Sequence, residues 1–281
     1  MKGLSLAGGG MKASAHIGAL KALEEKNIKF DCVSGTSSGS IIATMYAIGL
    51  TSDEMYELFN KYSKKIKYIE FKKIFKMIYG LIFKQKIIID GLNSGKIIEQ
   101  LINEICVKKG IININQIKMP LLIPMVDLKT GGVYIATSKE IRKKTSDKIT
   151  YITDMPIGKV VRASCSYPAV FSPLDYKGKQ LVDGGIRENL PWKELKQIGA
   201  NEVLGICFES IEKEDEKYEN MIDIAIRSLN LVCHELDNYE KVGIDRLITI
   251  PLKKTSLLDY SKSQELYDIG YKFMKSYKIY T

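Results

Sequence analysis

Short apolar runs alternate with stretches of helical periodicity along most of the chain. Apolar runs bounded by turn residues predict strands, and apolar side chains that recur every three or four residues predict helices. Strands are expected at Gly3–Ala7, Phe30–Ser34, Leu121–Asp127, Val133–Thr137, Gln180–Val182, Val203–Phe208 and Leu247–Ile250. Helices are expected at His16–Lys26, Ser40–Ile48, Ser94–Cys106, Met221–Val242 and Gln264–Tyr277. This alternation indicates an α/β fold with a largely parallel sheet.

Length and composition predict one cytoplasmic domain over residues 1–281. The chain contains no repeat, low-complexity tract or Pro/Gly-rich linker. Its five scattered cysteines show no paired spacing and no nearby histidines, which favours reduced thiols over disulfides or a zinc site. The sequence enters an apolar strand directly after Met1-Lys2-Gly3, without the features of a signal peptide. No apolar run has the length that a membrane span requires.

The sharpest local motif is Gly35-Thr36-Ser37-Ser38-Gly39, which lies between a predicted strand and a predicted helix. A nucleophile elbow has this G-x-S-x-G form because its strained turn passes close to neighbouring backbone and needs small residues. The dipole of the following helix also favours negative charge at the serine. Ser38 competes as a nucleophile but occupies a variable position of the motif. An ordinary Ser/Gly-rich turn is the alternative.

A second motif, Gly8-Gly9-Gly10-Met11-Lys12-Ala13, also follows a strand and opens a helix. Its backbone N–H groups could form an oxyanion hole beside the nucleophile. A dinucleotide-binding turn has a similar outline but needs an acidic residue at the end of the second strand. The only acid nearby, Asp31, stands at the start of that strand. The oxyanion hole is therefore preferred, because it accounts for both glycine turns.

The catalytic base is predicted to be Asp183, which ends an apolar strand and precedes Gly184-Gly185. The chain has only two histidines, His16 and His234. A Ser-His-Asp triad would need one of them. His16 is interpreted as a structural residue, and His234 as a surface or helix-packing one. A Ser–Asp dyad, in which the carboxylate takes the hydroxyl proton directly, is the simpler alternative.

Four segments together resemble the bacterial patatin-like phospholipases. They are Gly8–Lys12 with His16–Glu25, Gly35–Gly39, Ala163–Phe171, and Asp183–Gly185 with Asn189 and Pro191. The order and spacing of the segments agree with those of the family. The resemblance covers residues 4–196, and residues 197–281 are interpreted as a strand-helix extension of the same domain.

The resemblance implies a three-layer α/β/α hydrolase with a mainly parallel central sheet. By this resemblance Ser37 is the nucleophile and Asp183 the base of a dyad. The other implied site residues are an oxyanion hole of Gly8, Gly9, Gly10 and Lys12, elbow glycines Gly35 and Gly39, and dyad-turn glycines Gly184 and Gly185. No metal or cofactor is implied. Lys12 replaces the usual arginine of the family, Ala13 a common glycine, and Gly185 the commoner alanine.

The expected function is a serine lipid acyl hydrolase of the phospholipase A type, acting on phospholipids or related fatty-acyl esters. One alternative is a short-chain or lysophospholipid carboxylesterase with the same dyad. Another is a non-catalytic membrane- or lipid-binding protein, which the intact Ser37/Asp183 pair disfavours. Headgroup, acyl position and oligomeric state are not predicted.

The basic segment 58–89 carries nine lysines against one acid, which is +8 of the net charge of +9. Apolar residues from Phe71 to Phe83 recur between the lysines at near-helical spacing. One interpretation is an amphipathic helix packed on the core. The other is a lid or a dock for an anionic membrane, with a peripheral position at its inner face. Nucleic acid is not expected as a partner, because no recognition module is visible.

Overall fold

In a computed structural model of the chain, the structure describes residues 1–66, 70–84, 89–141, 148–209, 217–252 and 259–278. The strands are β1 (Lys2–Leu6), β2 (Cys32–Gly35), β3 (Leu121–Asp127), β4 (Val133–Thr137), β5 (Ile149–Ile152), β6 (Leu174–Tyr176), β7 (Lys179–Asp183), β8 (Glu202–Phe208) and β9 (Arg246–Ile250). The α-helices are α1 (Ala13–Glu25), α2 (Ser38–Ala47), α3 (Ser52–Ser63), α4 (Phe71–Lys84), α5 (Lys96–Val107), α6 (Ile157–Ser164), α7 (Trp192–Gln197), α8 (Met221–Glu240) and α9 (Ser263–Ser276).

The described strands form one mixed sheet in the order β5-β4-β3-β2-β1-β8-β9. Pairing is parallel from β3 through β2, β1 and β8 to β9. Strand β4 pairs antiparallel with β3, and β7 pairs antiparallel with β3 and β6. The predicted α/β class with a mainly parallel sheet is therefore confirmed.

Two apolar layers cover the sheet and confirm the three-layer arrangement. On one face, Leu4, Leu6 and Val33 pack with helices α1, α2, α3, α5, α6 and α9. On the other face, Cys32 and Val203 pack against Trp192 and its neighbours from α7. Alternate residues of a strand point to opposite faces, so β2 contributes Cys32 to one layer and Val33 to the other.

The region after residue 196 adds to the same sheet and packs on the same core. Strand β8 pairs along β1, and α9 crosses α1 at two glycines. A Cβ at Gly18 would lie 2.0 Å from the Tyr267 carbonyl oxygen, and one at Gly270 would lie 2.1 Å from that of Ala15. The two backbones can approach this closely only because neither residue has a side chain.

The sequence pattern located most of these elements and missed several short ones. The strands predicted at Leu121–Asp127 and Val133–Thr137 are confirmed with the same bounds, and most other predicted ends differ by one to three residues. Helices α3, α6 and α7 and strands β5 and β6 were not predicted. Most of these have eight residues or fewer, so they contain too few periods for a hydrophobic pattern to be visible.

The predicted basic segment contains α4, and its residues 67–69 and 85–88 lie outside the described residues. Among the helices that the structure describes, none combines the length and the apolar character of a membrane span.

Candidate active site

Ser37 lies in a sharp turn between β2 and α2, at the carboxyl edge of the parallel strands. Its backbone has φ 52° and ψ −128°, a conformation that costs a non-glycine residue free energy. Helix α2 begins at the next residue, so Ser37 is its N-cap. In the neighbouring strand Leu6 pairs with Gly35, which brings Gly8 and Ser37, each two residues further on, side by side.

The two glycines of the elbow are required by close backbone contacts. A Cβ at Gly39 would lie 2.4 Å from the Leu6 carbonyl oxygen. A Cβ at Gly35 would lie 2.5 Å from the carbonyl oxygen of Gly39 itself. A side chain at either position would push α2 away from the strand backbone, so both glycines of the motif have a structural reason here.

Asp183 reaches Ser37 through the shared neighbour β3. Strand β2 runs along the first part of β3, where Ser34 pairs with Leu122. Strand β7 runs the opposite way along the later part of β3 and pairs Asp183 with Met125. Met125, the partner of Asp183, lies three residues beyond Leu122, the partner of Ser34. Ser37 also lies three residues beyond Ser34, so Asp183 and Ser37 are at the same level of the sheet and lie side by side. Both side chains line one cavity.

The Asp183 carboxyl group is buried and has few partners. Oδ1 accepts a hydrogen bond of 2.8 Å from the Gly185 N–H. Oδ2 makes no hydrogen bond of normal geometry within the described residues. The Ser37 hydroxyl is nevertheless near enough to favour the ionised form, although burial dominates and raises the pKa of Asp183 to about 7. Gly184 begins the turn, with its Cβ position 2.5 Å from the Pro124 carbonyl oxygen.

The segment Ala163–Phe171 ties the two candidate dyad residues together. The Ser37 N–H donates to Ser164 Oγ over 3.0 Å, and the Asp183 N–H donates to the Ser166 carbonyl oxygen over 3.0 Å. Between them, burial and then the nearby Asp183 charge raise the pKa of the Cys165 thiol well above its usual range. The thiol is therefore protonated at neutral pH and unreactive, although it lies beside Ser37.

The predicted oxyanion loop follows β1, and its three N–H groups differ. The Gly8 N–H donates to Asn189 Oδ1 over 2.9 Å. The N–H groups of Gly9 and Gly10 have no acceptor among the residues that the structure describes. A Cβ at Gly8 would lie 2.9 Å from both Asn189 Oδ1 and Ser37 Cβ. Gly8 is thus committed to a protein partner, which the sequence did not indicate.

Lys12 and Asp31 bear on the two interpretations of the glycine loop, as an oxyanion hole or as a dinucleotide-binding turn. Lys12 lines the cavity, and burial lowers the pKa of its ammonium group. Asp31, the acid nearest to the second strand, accepts the Lys2 N–H over 2.7 Å at the amino end of β2. It therefore lies at the opposite end of the strand from Ser37. In the described part of the chain, no group of three or more His, Cys, Asp or Glu side chains has the arrangement of metal ligands.

The two histidines have different surroundings. His16 is fully buried, its Nε2 lies 2.8 Å from the Ala7 carbonyl oxygen, and burial lowers its pKa to about 4. A neutral ring with Nε2–H donating to Ala7 supports the loop rather than Ser37. His234 lies on α8, is half-buried and lines the cavity.

The cavity has a volume of about 550 Å³, within the range of sites for small ligands. One part of its wall is apolar and comes mainly from α3, α5 and the Ala163–Phe171 segment. This part includes Phe59, Tyr62, Ile97, Ile98, Leu101, Val170 and Phe171. Another part comes from α8 and the residues before it and is mostly polar. It includes Lys217, Asp223, Arg227, Asn230, His234 and Asp237.

Comparison with known proteins assigns this arrangement to a family. Residues 4–196, well over half of the chain, match the family model described as patatin-like phospholipase. The chain belongs to the patatin-like phospholipase family. In this patatin-like chain the matched segment contains Ser37, Asp183 and Asn189, whereas α8, β9 and α9 lie beyond it.

Individual relatives are similar over most of this patatin-like chain. The protein YqhO of Bacillus subtilis strain 168 is 29% identical over 273 residues, which are 92% of this chain and 90% of YqhO. Lysophospholipase NTE1 of Meyerozyma guilliermondii is 23% identical over 295 residues, which are 96% of this chain. The chain spans only 18% of the length of that relative. The crystal structure of VipD from Legionella pneumophila has a TM-score of 0.49 at 16% identity and covers 97% of this chain and 66% of VipD.

Proposed function

We propose that this chain is a serine lipid acyl hydrolase of the phospholipase A type, which releases fatty acids from phospholipids or lysophospholipids. One observation carries the proposal: a serine at a strained elbow and a buried aspartate with a pKa of about 7 line one cavity. A base whose pKa lies near the working pH combines a high ionised fraction with strong proton affinity. Membership in the patatin-like family supports the same activity.

In the proposed first step, Asp183 takes the hydroxyl proton of Ser37 while Oγ attacks the ester carbonyl carbon. The carbonyl oxygen becomes negatively charged in the tetrahedral intermediate and accepts hydrogen bonds from Gly9 and Gly10. We assign no such role to the Gly8 N–H, since Asn189 occupies it. The charge of Lys12, also in the cavity wall, stabilises the same region.

Collapse of the intermediate breaks the ester bond, and Asp183 returns its proton to the departing alcohol. The acyl group is then bonded to Ser37. Water next gives a proton to Asp183 and attacks the acyl carbon, and the second intermediate releases the fatty acid and restores the Ser37 hydroxyl. Every proton moves through the carboxyl group of Asp183, which can exchange it because its pKa is near neutrality.

The apolar part of the cavity wall favours a substrate with a long acyl chain over one with a short chain. Phe59, Ile98 and Leu101 are buried side chains that line the cavity from α3 and α5. A short-chain carboxylesterase would gain little from this surface. The relative NTE1 is named a lysophospholipase, so we include single-chain phospholipids in the proposed substrate class. A purely lipid-binding role would leave the paired Ser37 and Asp183 without a purpose.

The experiment that tests this proposal is mass spectrometry of products after incubation with mixed liposomes and with lysophospholipid micelles. We expect free long-chain fatty acids from the wild-type protein and none from the Ser37→Ala variant. A parallel assay with acetate and palmitate esters of one chromophore compares chain lengths. Hydrolysis confined to the acetate ester would favour the short-chain esterase. An absence of hydrolysis of every ester would leave the binding protein as the function.

Histidine substitutions separate the dyad from a triad. We expect His16→Gln and His234→Gln to keep kcat within about fivefold of wild type, because Asp183 acts on Ser37 without an imidazole. Glutamine at position 16 can still donate to the Ala7 carbonyl oxygen, so the loop keeps its support. Steady-state kinetics on a soluble ester is the measurement. A loss of about 10⁴-fold in a folded His234→Gln variant would instead establish a triad.

Helix α4 is the candidate for contact with an anionic membrane. Its aromatic side chains Phe75 and Phe83 are 73% and 71% exposed, so they are not packed on the core as one interpretation of the sequence expected. Lys72, Lys76 and Lys84 are exposed on the same helix. Exposed rings among lysines are typical of helices that lie in a membrane interface.

The start of α4 is attached to the wall of the cavity. Lys73 pairs with Asp90 and donates to Ser172 Oγ over 2.7 Å, so it is not a free cation for lipid. The residues after Asp90 bond to the Ala163–Phe171 segment: the Asn93 N–H donates to the Val170 carbonyl oxygen over 2.9 Å. Val170 lines the cavity. A membrane bound to α4 would therefore lie near the wall of the candidate site.

Charge reversal tests this membrane contact. We expect Lys72→Glu/Lys76→Glu/Lys84→Glu to weaken binding to anionic vesicles by about 100-fold or more, since each lysine contributes about 1 kcal/mol at such a surface. Turnover of a soluble ester should stay unchanged, because none of the three lines the cavity. Vesicle co-sedimentation at several salt concentrations is the measurement, and binding should weaken as salt rises.

The matched control reverses three exposed lysines outside α4, namely Lys109, Lys118 and Lys139. It changes the net charge by the same amount, so equal loss of binding in both variants would mean that overall charge matters and α4 does not.

Phe75→Ser and Phe83→Ser should weaken vesicle binding without lowering the melting temperature, because both rings are exposed. Unchanged binding in the α4 variants would refute the dock.

A further inference from the structure

A chain of hydrogen bonds connects α8 through Asn189 to the predicted oxyanion loop, Gly8–Gly10. The Gly8 N–H donates to Asn189 Oδ1 over 2.9 Å. The other half of the same amide, Nδ2, donates to Asp237 Oδ2 over 2.9 Å. The Asn189 side chain thus has its acceptor on the loop and its donor on the helix. Both ends must be present for the amide group to keep one orientation.

The backbone around Asn189 is held by the next turn of the same helix. Glu240 Oε2 accepts the N–H of Asn189 over 2.9 Å and that of Leu190 over 3.2 Å. Trp192 Nε1 donates to the Glu240 carbonyl oxygen over 2.6 Å. Burial raises the pKa of Asp237, and burial together with Asp237 raises that of Glu240 to about 7. The ionised forms of two neighbouring carboxyl groups are thus destabilised. Such perturbed carboxyl groups are more frequent at functional sites than elsewhere.

The position of Gly8 matters because the loop is in close contact with Ser37 and has no room to shift towards it. The Cβ position of Gly8 is 2.9 Å from Ser37 Cβ, so the loop lies against the nucleophile. The N–H groups of Gly9 and Gly10 follow directly and have no acceptor among the described residues to fix their direction. A displacement of about 1 Å in a catalytic group can cost about 100-fold in rate.

We propose that Asp237 is a positioning residue: through Asn189 it holds Gly8 and thereby aims the Gly9 and Gly10 N–H groups at the oxyanion. This inference rests on the proposed hydrolase function. Asp237 acts through another side chain and touches no reacting atom. It lies beyond the segment that matches the family, so α8 contributes to a site whose dyad is within that segment.

Removal of the acceptor is the first test. Asp237→Leu should lower kcat on a soluble ester by 10- to 100-fold with little change in KM, because the oxyanion exists only in the transition state. Asp237→Asn keeps an oxygen for the Asn189 amide and should stay within about threefold of wild type. Glu235→Leu, on an exposed position of the same helix, is the matched control and should change neither constant. Rates are normalised to the folded fraction, so a purely structural role would leave kcat of Asp237→Leu unchanged.

Reversal of the donor and the acceptor is the sharper test. Asn189→Asp removes the donor and sets two carboxyl groups face to face, so kcat should fall about 100-fold. Adding Asp237→Asn restores one donor and one acceptor in the opposite sense, while the new carboxylate still accepts the Gly8 N–H. The double variant should recover at least tenfold over Asn189→Asp. A double variant no better than Asn189→Asp, or an Asp237→Leu variant with wild-type kcat, would overturn the proposal.

Amide hydrogen exchange measures the same link without any turnover. The Gly8 amide should exchange at least tenfold faster in Asp237→Leu than in wild type. The Gly39 amide, which donates to the Thr36 carbonyl oxygen over 2.8 Å, should be unaffected. Unchanged exchange at Gly8 would overturn the positioning role. If wild type hydrolyses no ester while Gly8 responds as expected, the proposed function fails and the link between α8 and the loop stands.

Discussion

Replacement of Ser37 with alanine should lower the rate of ester hydrolysis by about 10⁴-fold or more in a fully folded protein. The two potential nucleophiles nearest to it, Cys165 and Ser38, are poorly placed to replace it. The Cys165 thiol is held protonated by burial and by Asp183. Ser38 is the first residue of α2 and does not lie at the apex of the turn, and its hydroxyl is buried. Fatty-acid release and a thermal melt are the measurements.

Two controls sharpen the Ser37 result. Ser38→Ala should keep wild-type activity, and substantial turnover by Ser37→Ala together with its loss in Ser38→Ala would move the nucleophile to the neighbouring residue. Ser37→Gly should be as inactive as Ser37→Ala but more stable by about 1 kcal/mol or more, because glycine adopts a positive φ without strain. Equal stability of the two variants would mean that the elbow stores no strain.

Replacement of Asp183 with asparagine should lower kcat by about 10²- to 10⁴-fold, the contribution of a general base. The variant should also be more stable than wild type above pH 7. In wild type, burial raises the pKa of Asp183 to about 7 from an ordinary value of 3.8. Between these values the unfolded chain loses the proton and the native protein keeps it, so wild-type stability falls as pH rises from about 4 to about 7.

Asparagine has no charge to bury, so the difference in the free energy of unfolding should be absent below pH 4 and reach a few kcal/mol at pH 8. Denaturant melts at the two pH values measure it. Wild-type kcat/KM on a soluble ester should rise towards pH 7 and then level off as Asp183 ionises. Equal stability of the two proteins at pH 8, or a flat wild-type pH profile from 5 to 8, would contradict the buried base.

The turn at Ser37 was predictable because most of its requirements are local. The elbow needs a strand, a serine, small residues on both sides and a helix, and all of these are adjacent in the chain. Gly35 and Gly39 are close to Ser37 in sequence, and Gly35 is explained by a contact within the turn, with the backbone of Gly39. The contact that explains Gly39 is with Leu6 of β1, which only the folded chain brings near. The hairpin of β3 and β4 was predictable for the same reason, since its turn glycines stand between its strands.

The supporting residues were not predictable, because their contacts join distant parts of the chain. Asn189 and Gly8 are 181 residues apart, and Asn189 and Asp237 are 48 residues apart. A single hydrogen bond between such positions leaves no periodic pattern in the sequence. The exposure of the α4 rings could not be predicted for a related reason. Helical spacing shows that a helix has an apolar face, but it does not show whether the rest of the protein covers that face.

The sequence by itself determined most of the longer elements, the class of fold, the family and the turn at Ser37, since each depends on residues close together or on motifs in a fixed order. Only the tertiary structure decided that Asp183 meets Ser37, because this depends on β7 running antiparallel along the same edge of β3 that β2 occupies. It also decided the pKa of Asp183. The pKa of a carboxyl group is set by the water it loses and the donors it gains on folding, and at Asp183 those are determined by strands and turns from distant parts of the sequence.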